Sequence, residues 1–159
     1  MIAQRYRTVL TKECSSINHI LEVVSVKGSA DSPFLVTGGL EQKVQIFNVH
    51  LDLIQEIQFK GWIRCCTVTD LDGDGNKEFS IGSGDSTVRT FKYSSDDHQF
   101  FELWSYSFKN KVSSIASGDI NNDGRVEIVA GSWDKTLKVF DGLTGNLLWA
   151  SISLIGLPS

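Results

Sequence analysis

Two nine-residue stretches concentrate carboxylates at matching phases. The first is Asp70-Leu-Asp72-Gly-Asp74-Gly-Asn76-Lys-Glu78, and the second is Asp119-Ile-Asn121-Asn-Asp123-Gly-Arg125-Val-Glu127. Both read D-x-[DN]-x-D-G-x-x-E, and their first residues lie 49 apart. Oxygen side chains at positions one, three and five, with a glycine at six, are what a tight loop around Ca²⁺ needs. Alternate residues turn inward, and the glycine lets the chain bend sharply. The spacing nominates Asp70, Asp72, Asp74 and Glu78 in loop one, and Asp119, Asn121, Asp123 and Glu127 in loop two. Asn76 and Arg125, at position seven, would each offer a backbone carbonyl. Asp, Asn and Gly also populate ordinary polar turns. Two copies with the same ligand phase favour the metal reading, hence two Ca²⁺ sites per chain. Loop one carries four carboxylates against three, which predicts tighter binding there. An EF-hand would need a Glu at position twelve, where this chain has Ile81 or Ala130, and flanking helices.

The loops sit inside a longer repeat. Phe34–Phe47, Glu78–Phe91 and Glu127–Phe140 align without gaps, and their glycines Gly38, Gly82 and Gly131 lie 44 and 49 apart. A period in the mid-forties is that of four short strands and their turns, one propeller blade. Val44-Gln-Ile-Phe47, Val88-Arg-Thr-Phe91 and Leu137-Lys-Val-Phe140 alternate as half-buried strands do. No segment carries a sustained helical period. The fold class read from this is all-β, with three four-stranded antiparallel blades at about 17–61, 62–110 and 111–155. The segment at 1–16 is a possible closing outer strand. Unit one has only Asp31 in its loop, at a phase that does not suit a ligand.

Asp70–Gly84 and Asp119–Ser132 resemble the calcium loops of integrin-alpha-like repeats, also called FG-GAP or VCBS repeats. Similar Asp-rich loops followed by Glu, apolar residues and Gly-Ser occur in the N-terminal propellers of Bardet–Biedl syndrome (BBSome) subunits. The resemblance implies a propeller scaffold. Its loops often end on Asp, whereas Glu78 and Glu127 end them here. Ser132–Asp141 is similar to the end of a tryptophan–aspartate repeat, and Asp141–Trp149 to a quinoprotein-type repeat.

Closed propellers usually have ~4–8 blades. Three leave open edges that invite another chain. The expectation is self-association into a ring, with a two-chain, six-blade ring first and other proteins as further partners. A net charge of −4 and no basic cluster argue against nucleic acid, and no apolar run is long enough for membrane insertion. The N-terminal residues lack the apolar core of a signal peptide. Cys14, Cys65 and Cys66 are odd in number and two are adjacent, which suggests reduced thiols and a cytoplasmic location. His19, His50 and His98 have no metal-ligand spacing, and no nucleophile or phosphate-loop motif occurs. The chain therefore reads as a non-enzyme, a calcium-binding scaffold for protein–protein interaction. The alternatives are a subunit of a BBSome-like trafficking complex, or a carbohydrate-binding or enzymatic propeller with a site in its central channel. Trp104 and Trp149 are expected between blades, and Trp133 is the candidate exposed contact.

Overall fold

A computed structural model describes residues 18–151. The possible closing strand at 1–16 lies outside the described residues. Twelve strands make three sheets, each a four-stranded antiparallel meander. Blade one holds β1 (Asn18–Val24), β2 (Phe34–Gly39), β3 (Lys43–Phe47) and β4 (Leu53–Gln58). Blade two holds β5 (Ile63–Thr69), β6 (Glu78–Ser83), β7 (Thr87–Ser94) and β8 (Gln99–Ser107). Blade three holds β9 (Val112–Gly118), β10 (Glu127–Ser132), β11 (Leu137–Asp141) and β12 (Leu147–Ala150). The described residues contain no helix, so none is long and apolar enough to cross a membrane.

The inner strands β1, β5 and β9 stand side by side, which stacks the blades as an arc. Alternation along each strand gives the middle blade two apolar faces. Phe79 and Ile81 of β6 join a cluster with blade one, where Phe34, Phe79, Phe91, Tyr93 and Phe100 meet ring to ring. The opposite face of blade two packs on blade three through Val88, Trp104, Phe108, Val112, Ile128 and Phe140. The adjacent cysteines divide between these cores, Cys66 towards blade one and Cys65 towards blade three.

The repeat glycines have a packing reason. A Cβ on Gly38 would lie 2.8 Å from Ile63 Cγ2, and one on Gly82 would lie 2.7 Å from Val112 Cγ1 as well as 2.5 Å from Cys65 Sγ of its own blade. Ile63 and Val112 are the first residues of the next blade's inner strand. Each glycine is thus the notch that seats the following blade. At Gly131 the nearest atom to such a Cβ belongs to Ser114 of the same blade.

Trp104 lies between blades as expected, 8% exposed, with Nε1 donating to the Gly142 carbonyl at 2.8 Å. Trp149 does not. It is 53% exposed on β12, because the far face of blade three has no sheet against it among the described residues.

Candidate metal centre

Both acidic loops join an inner strand to the second strand of their blade, β5 to β6 and β9 to β10, and so emerge at the same end of the arc. Their turns are superimposable in kind. Asp70 accepts from the Gly73 and Gly75 amides at 2.7 and 2.8 Å. Asp119 accepts from the Asp123 and Gly124 amides at 3.2 and 2.9 Å. Asp74 accepts from the Asn76 amide at 2.7 Å, and Asp123 from the Arg125 amide at 2.8 Å. Position six is left-handed in both, with φ of 85° at Gly75 and 84° at Gly124. Position four is left-handed too, at Gly73 and at Asn122, and Asn is among the few side chains that adopt this conformation readily. Position four is where the two stretches exchange Gly for Asn.

The terminal glutamates are buried anchors. Glu78 is 1% exposed and Glu127 2%. One oxygen of each accepts the position-two amide, Leu71 or Ile120, at 2.8 Å. In loop one the other oxygen, Glu78 Oε1, is buried and accepts no hydrogen bond. Burial pushes this carboxyl up, against the Leu71 amide and the Lys92 charge.

Asp70, Asp72 and Glu78 each bring one oxygen within 4.8 Å of the others. Oxygens around one Ca²⁺ at about 2.3–2.6 Å lie no more than about 5 Å apart, so this donor set fits the ion. Carboxylate oxygens that already accept one amide keep a second lone pair for it. The Asn76 side-chain oxygen is already engaged, Oδ1 accepting the Lys27 amide at 2.7 Å. That leaves position seven only its backbone carbonyl to offer. Asp119, Asp123 and Glu127 of loop two do not form such a convergent group in this structure. There the Asn121 amide nitrogen donates to Asp123 Oδ2 at 3.1 Å.

The structure adds a residue that the nine-residue pattern omits. Lys92, on β7, places its ammonium on Asp72 Oδ2, 3.1 Å from Asp74 Oδ2 and 3.5 Å from Glu78 Oε1. Burial would lower the Lys92 pKa, but hydrogen bonds to Asp72 and Asp74 outweigh it and raise it. Asp74 is correspondingly held low: burial would raise it, and the Asn76 amide and Lys92 overcome that. The equivalent residue of blade three, one beyond Phe140 as Lys92 is one beyond Phe91, is Asp141. Asp141 stands opposite Glu127 in the β10–β11 register. Its Oδ1 accepts from the Leu143 and Thr144 amides, and its Oδ2 lies 3.8 Å from the Arg125 guanidinium. Counting carboxylates within the loops thus missed both cross-strand charges. The signal was one column of the repeat alignment away.

Trp133 is 54% exposed at the other end of the arc, separated from loop two by the length of β10.

A search of curated proteins finds no match. The crystal structure of Saccharomyces cerevisiae Sqt1, a WD40 propeller, is similar with a TM-score of 0.61 at 20% identity. The match covers 74% of this chain and 32% of that one, so the chain spans about a third of its neighbour's length. At that identity the likeness shows the fold alone. The model of the FG-GAP-like repeat matches residues 70–153. It begins on Asp70, the first residue of loop one, and takes in loop two, more than half of the chain, and the protein belongs to the FG-GAP-like repeat family.

Proposed function

We propose that this protein is a non-catalytic β-propeller scaffold for protein–protein interaction whose acidic loops take Ca²⁺ as structural clamps. The observation that carries the metal reading is the convergence of Asp70, Asp72 and the buried, hydrogen-bond-free Glu78 Oε1. In loop one Asp70, Asp72, Asp74, Glu78 and the Asn76 carbonyl would hold the ion. In loop two Asp119, Asn121, Asp123, Glu127 and the Arg125 carbonyl would do so. Bound calcium supplies positive charge that turns carboxylate repulsion into a tie across each turn. The loops sit where a rigid turn fixes an inner strand against the next, which suits a clamp. A nucleophilic role suits the thiols poorly, since burial pushes Cys65 up to about 11 and Cys66 further.

Ring completion belongs to the same proposal. Val129, Val139 and Trp149 lie in register across the far face of blade three, and Leu21 and Val23 are exposed on blade one. Gly131 repeats the notch that Gly38 and Gly82 use to seat a following blade. A second copy is the first occupant to test. Asn18 pairs beside Gly39 as Ile63 pairs with Ser83, so a two-copy ring would seat an amide in the last notch.

Calcium titration by calorimetry, with thermal melts in calcium and in chelator, tests the clamp. Binding and a higher melting temperature in calcium are expected. No heat and superimposable melts would sink it. Light scattering tests the ring, and the mass of a single chain at micromolar concentration would remove it.

A further inference from the structure

The end of the arc opposite the acidic loops has a different chemistry. Gly84 stands in blade two where Trp133 stands in blade three. Each is tied by its amide to the residue before the inner strand, Gly84 to the Trp62 carbonyl and Trp133 to the Lys111 carbonyl. Because Gly84 projects no side chain, a recess of about 210 Å³ opens there, walled by Trp62, Arg64, Lys60 and Lys111. Trp62 is 48% exposed and Trp133 54%. The Arg64 guanidinium lies 5.1 Å from the Trp133 ring centre and the Lys111 ammonium 5.3 Å from it.

Three cations meet here, and none of them is held in an ion pair among the described residues. Lys60, Arg64 and Lys111 make no salt bridge among the described residues, although acidic side chains outnumber basic ones in the chain. Arg64 Nε is buried and donates no hydrogen bond. Elsewhere Lys43, Arg89 and Lys92 are each paired with carboxylates. Asp85 and Asp134, which follow Gly84 and Trp133, point their carboxylates at Thr87 and Thr136 and at the Lys60 and Lys109 backbone amides, and neither pairs with a side-chain cation among the described residues.

We propose that this recess binds an acidic peptide segment of a partner protein. Its Asp or Glu carboxylates would accept from Arg64 and approach Lys60 and Lys111, and an apolar side chain would lie on Trp62 and Trp133. Guanidinium pairs carboxylate in a fixed fork, and exposed Trp and Arg are the residues that most often anchor protein interfaces. Nucleic acid is disfavoured because an extended polyanion would also meet the field of the acidic loops and of a chain of net charge −4. The inference rests on the scaffold reading and names the partner's chemistry.

The test is fluorescence anisotropy with the full chain and a labelled peptide of alternating Glu and Ser around a central Leu. Two control probes accompany it: the same peptide with Lys for Glu, and a single-stranded oligonucleotide of matching charge. The Glu peptide is expected to bind. Its affinity should fall about tenfold or more in Arg64→Gln/Lys111→Gln, the size of one lost charge-assisted hydrogen bond. It should fall several-fold in Trp133→Ser, which keeps every cation, and stay unchanged in Lys27→Gln at the acidic end. Lys60→Gln/Lys111→Gln repeats the test at exposed side chains should the Arg64 variant unfold. Wild-type affinity in folded recess variants, or no binding of the Glu peptide, overturns the proposal. Tighter binding of the oligonucleotide reassigns the surface and overturns it as well. Preference for the Lys peptide overturns it while leaving the scaffold reading standing, and that reading falls separately on the mass and melting measurements.

Discussion

Loop one and loop two are nearly the same sentence written twice, and they sit in different electrostatic fields. Their backbones bend at the same two left-handed positions, and their glutamates tie down the same amide. Fourteen residues beyond each glutamate the chains diverge, to Lys92 in blade two and Asp141 in blade three. Lys92 brings its own cation to the carboxylates of loop one. Asp141 adds a carboxylate beside loop two, with Arg125 3.8 Å away and 73% exposed at its side chain. The comparison teaches that the nine-residue pattern encodes the shape of the turn, while the cross-strand neighbour decides how much charge a metal would find there. An ion entering loop one must displace an ammonium, whereas one entering loop two displaces none. The resident ammonium thus opposes the expectation of tighter binding in loop one, drawn from its four carboxylates and matched by its converging oxygens, and the competing prediction is that loop two binds more tightly.

Removing the lysine should have the largest effect. Lys92→Met leaves Asp72, Asp74 and the buried Glu78 without a counter-charge. Breaking a buried ion pair costs about 3–5 kcal/mol, and partial exposure of Lys92 reduces this to about 2–3 kcal/mol in chelator. Calcium should restore most of the loss, so the variant should depend on calcium more steeply than the parent does. Urea unfolding in chelator and in calcium measures both, and wild-type stability in chelator would show that Lys92 is a bystander.

Next in size is the division of the calcium response itself. Free calcium at a hundred times its dissociation constant stabilises a site by about 2.7 kcal/mol. Asp123→Asn should remove most of the calcium-induced rise in melting temperature, and Asp74→Asn should leave most of it. The opposite result would mean that carboxylate number outweighs the resident lysine. A finer probe is Asp141→Asn, which keeps an oxygen for the Leu143 and Thr144 amides and deletes only charge. Calorimetry should show calcium affinity falling two- to fivefold, under about 1 kcal/mol. No change would place Asp141 outside the reach of loop two.

These differences explain what could be read in advance. The blades were legible because their signals are local. Gly-Ser-x-Asp turns, alternating strands ending on Phe47, Phe91 and Phe140, and Asp-rich loops all fall within a few residues of one another. What escaped depends on neighbours across a strand or across a blade. Lys92 is a surface lysine in the sequence and becomes a counter-ion only when β7 pairs with β6. Trp149 has the same outer-strand position as Trp104, and the sequence gives no sign that one is covered by a further blade and the other is not. The glycine repeat was visible, but its cause, the seating of Ile63 and Val112, required the next blade in place.

The smallest predicted effect supplies the control, because it concerns two turns with the same hydrogen bonds. Asp85 accepts from the Thr87 hydroxyl at 2.6 Å and the Lys60 amide at 3.0 Å. Asp134 accepts from the Thr136 hydroxyl at 2.5 Å and the Lys109 amide at 3.1 Å. Burial alone would raise both carboxyls, but these hydrogen bonds outweigh it and hold both below their ordinary value. A carboxyl depressed on folding stabilises the fold above its unfolded pKa, and the contribution is lost as pH falls through the folded value. Asp85→Asn and Asp134→Asn should therefore each cost under about 1 kcal/mol at neutral pH, a gap that closes below about pH 4. The two curves should have the same shape, set apart only by Lys138, whose ammonium stands on the Thr136 hydroxyl and adds to the lowering of Asp134. A separation that survives in a Lys138→Met background would mean that the two blades differ in more than their acidic loops and this lysine. In that case the contrast between loop one and loop two could not be assigned to Lys92 alone.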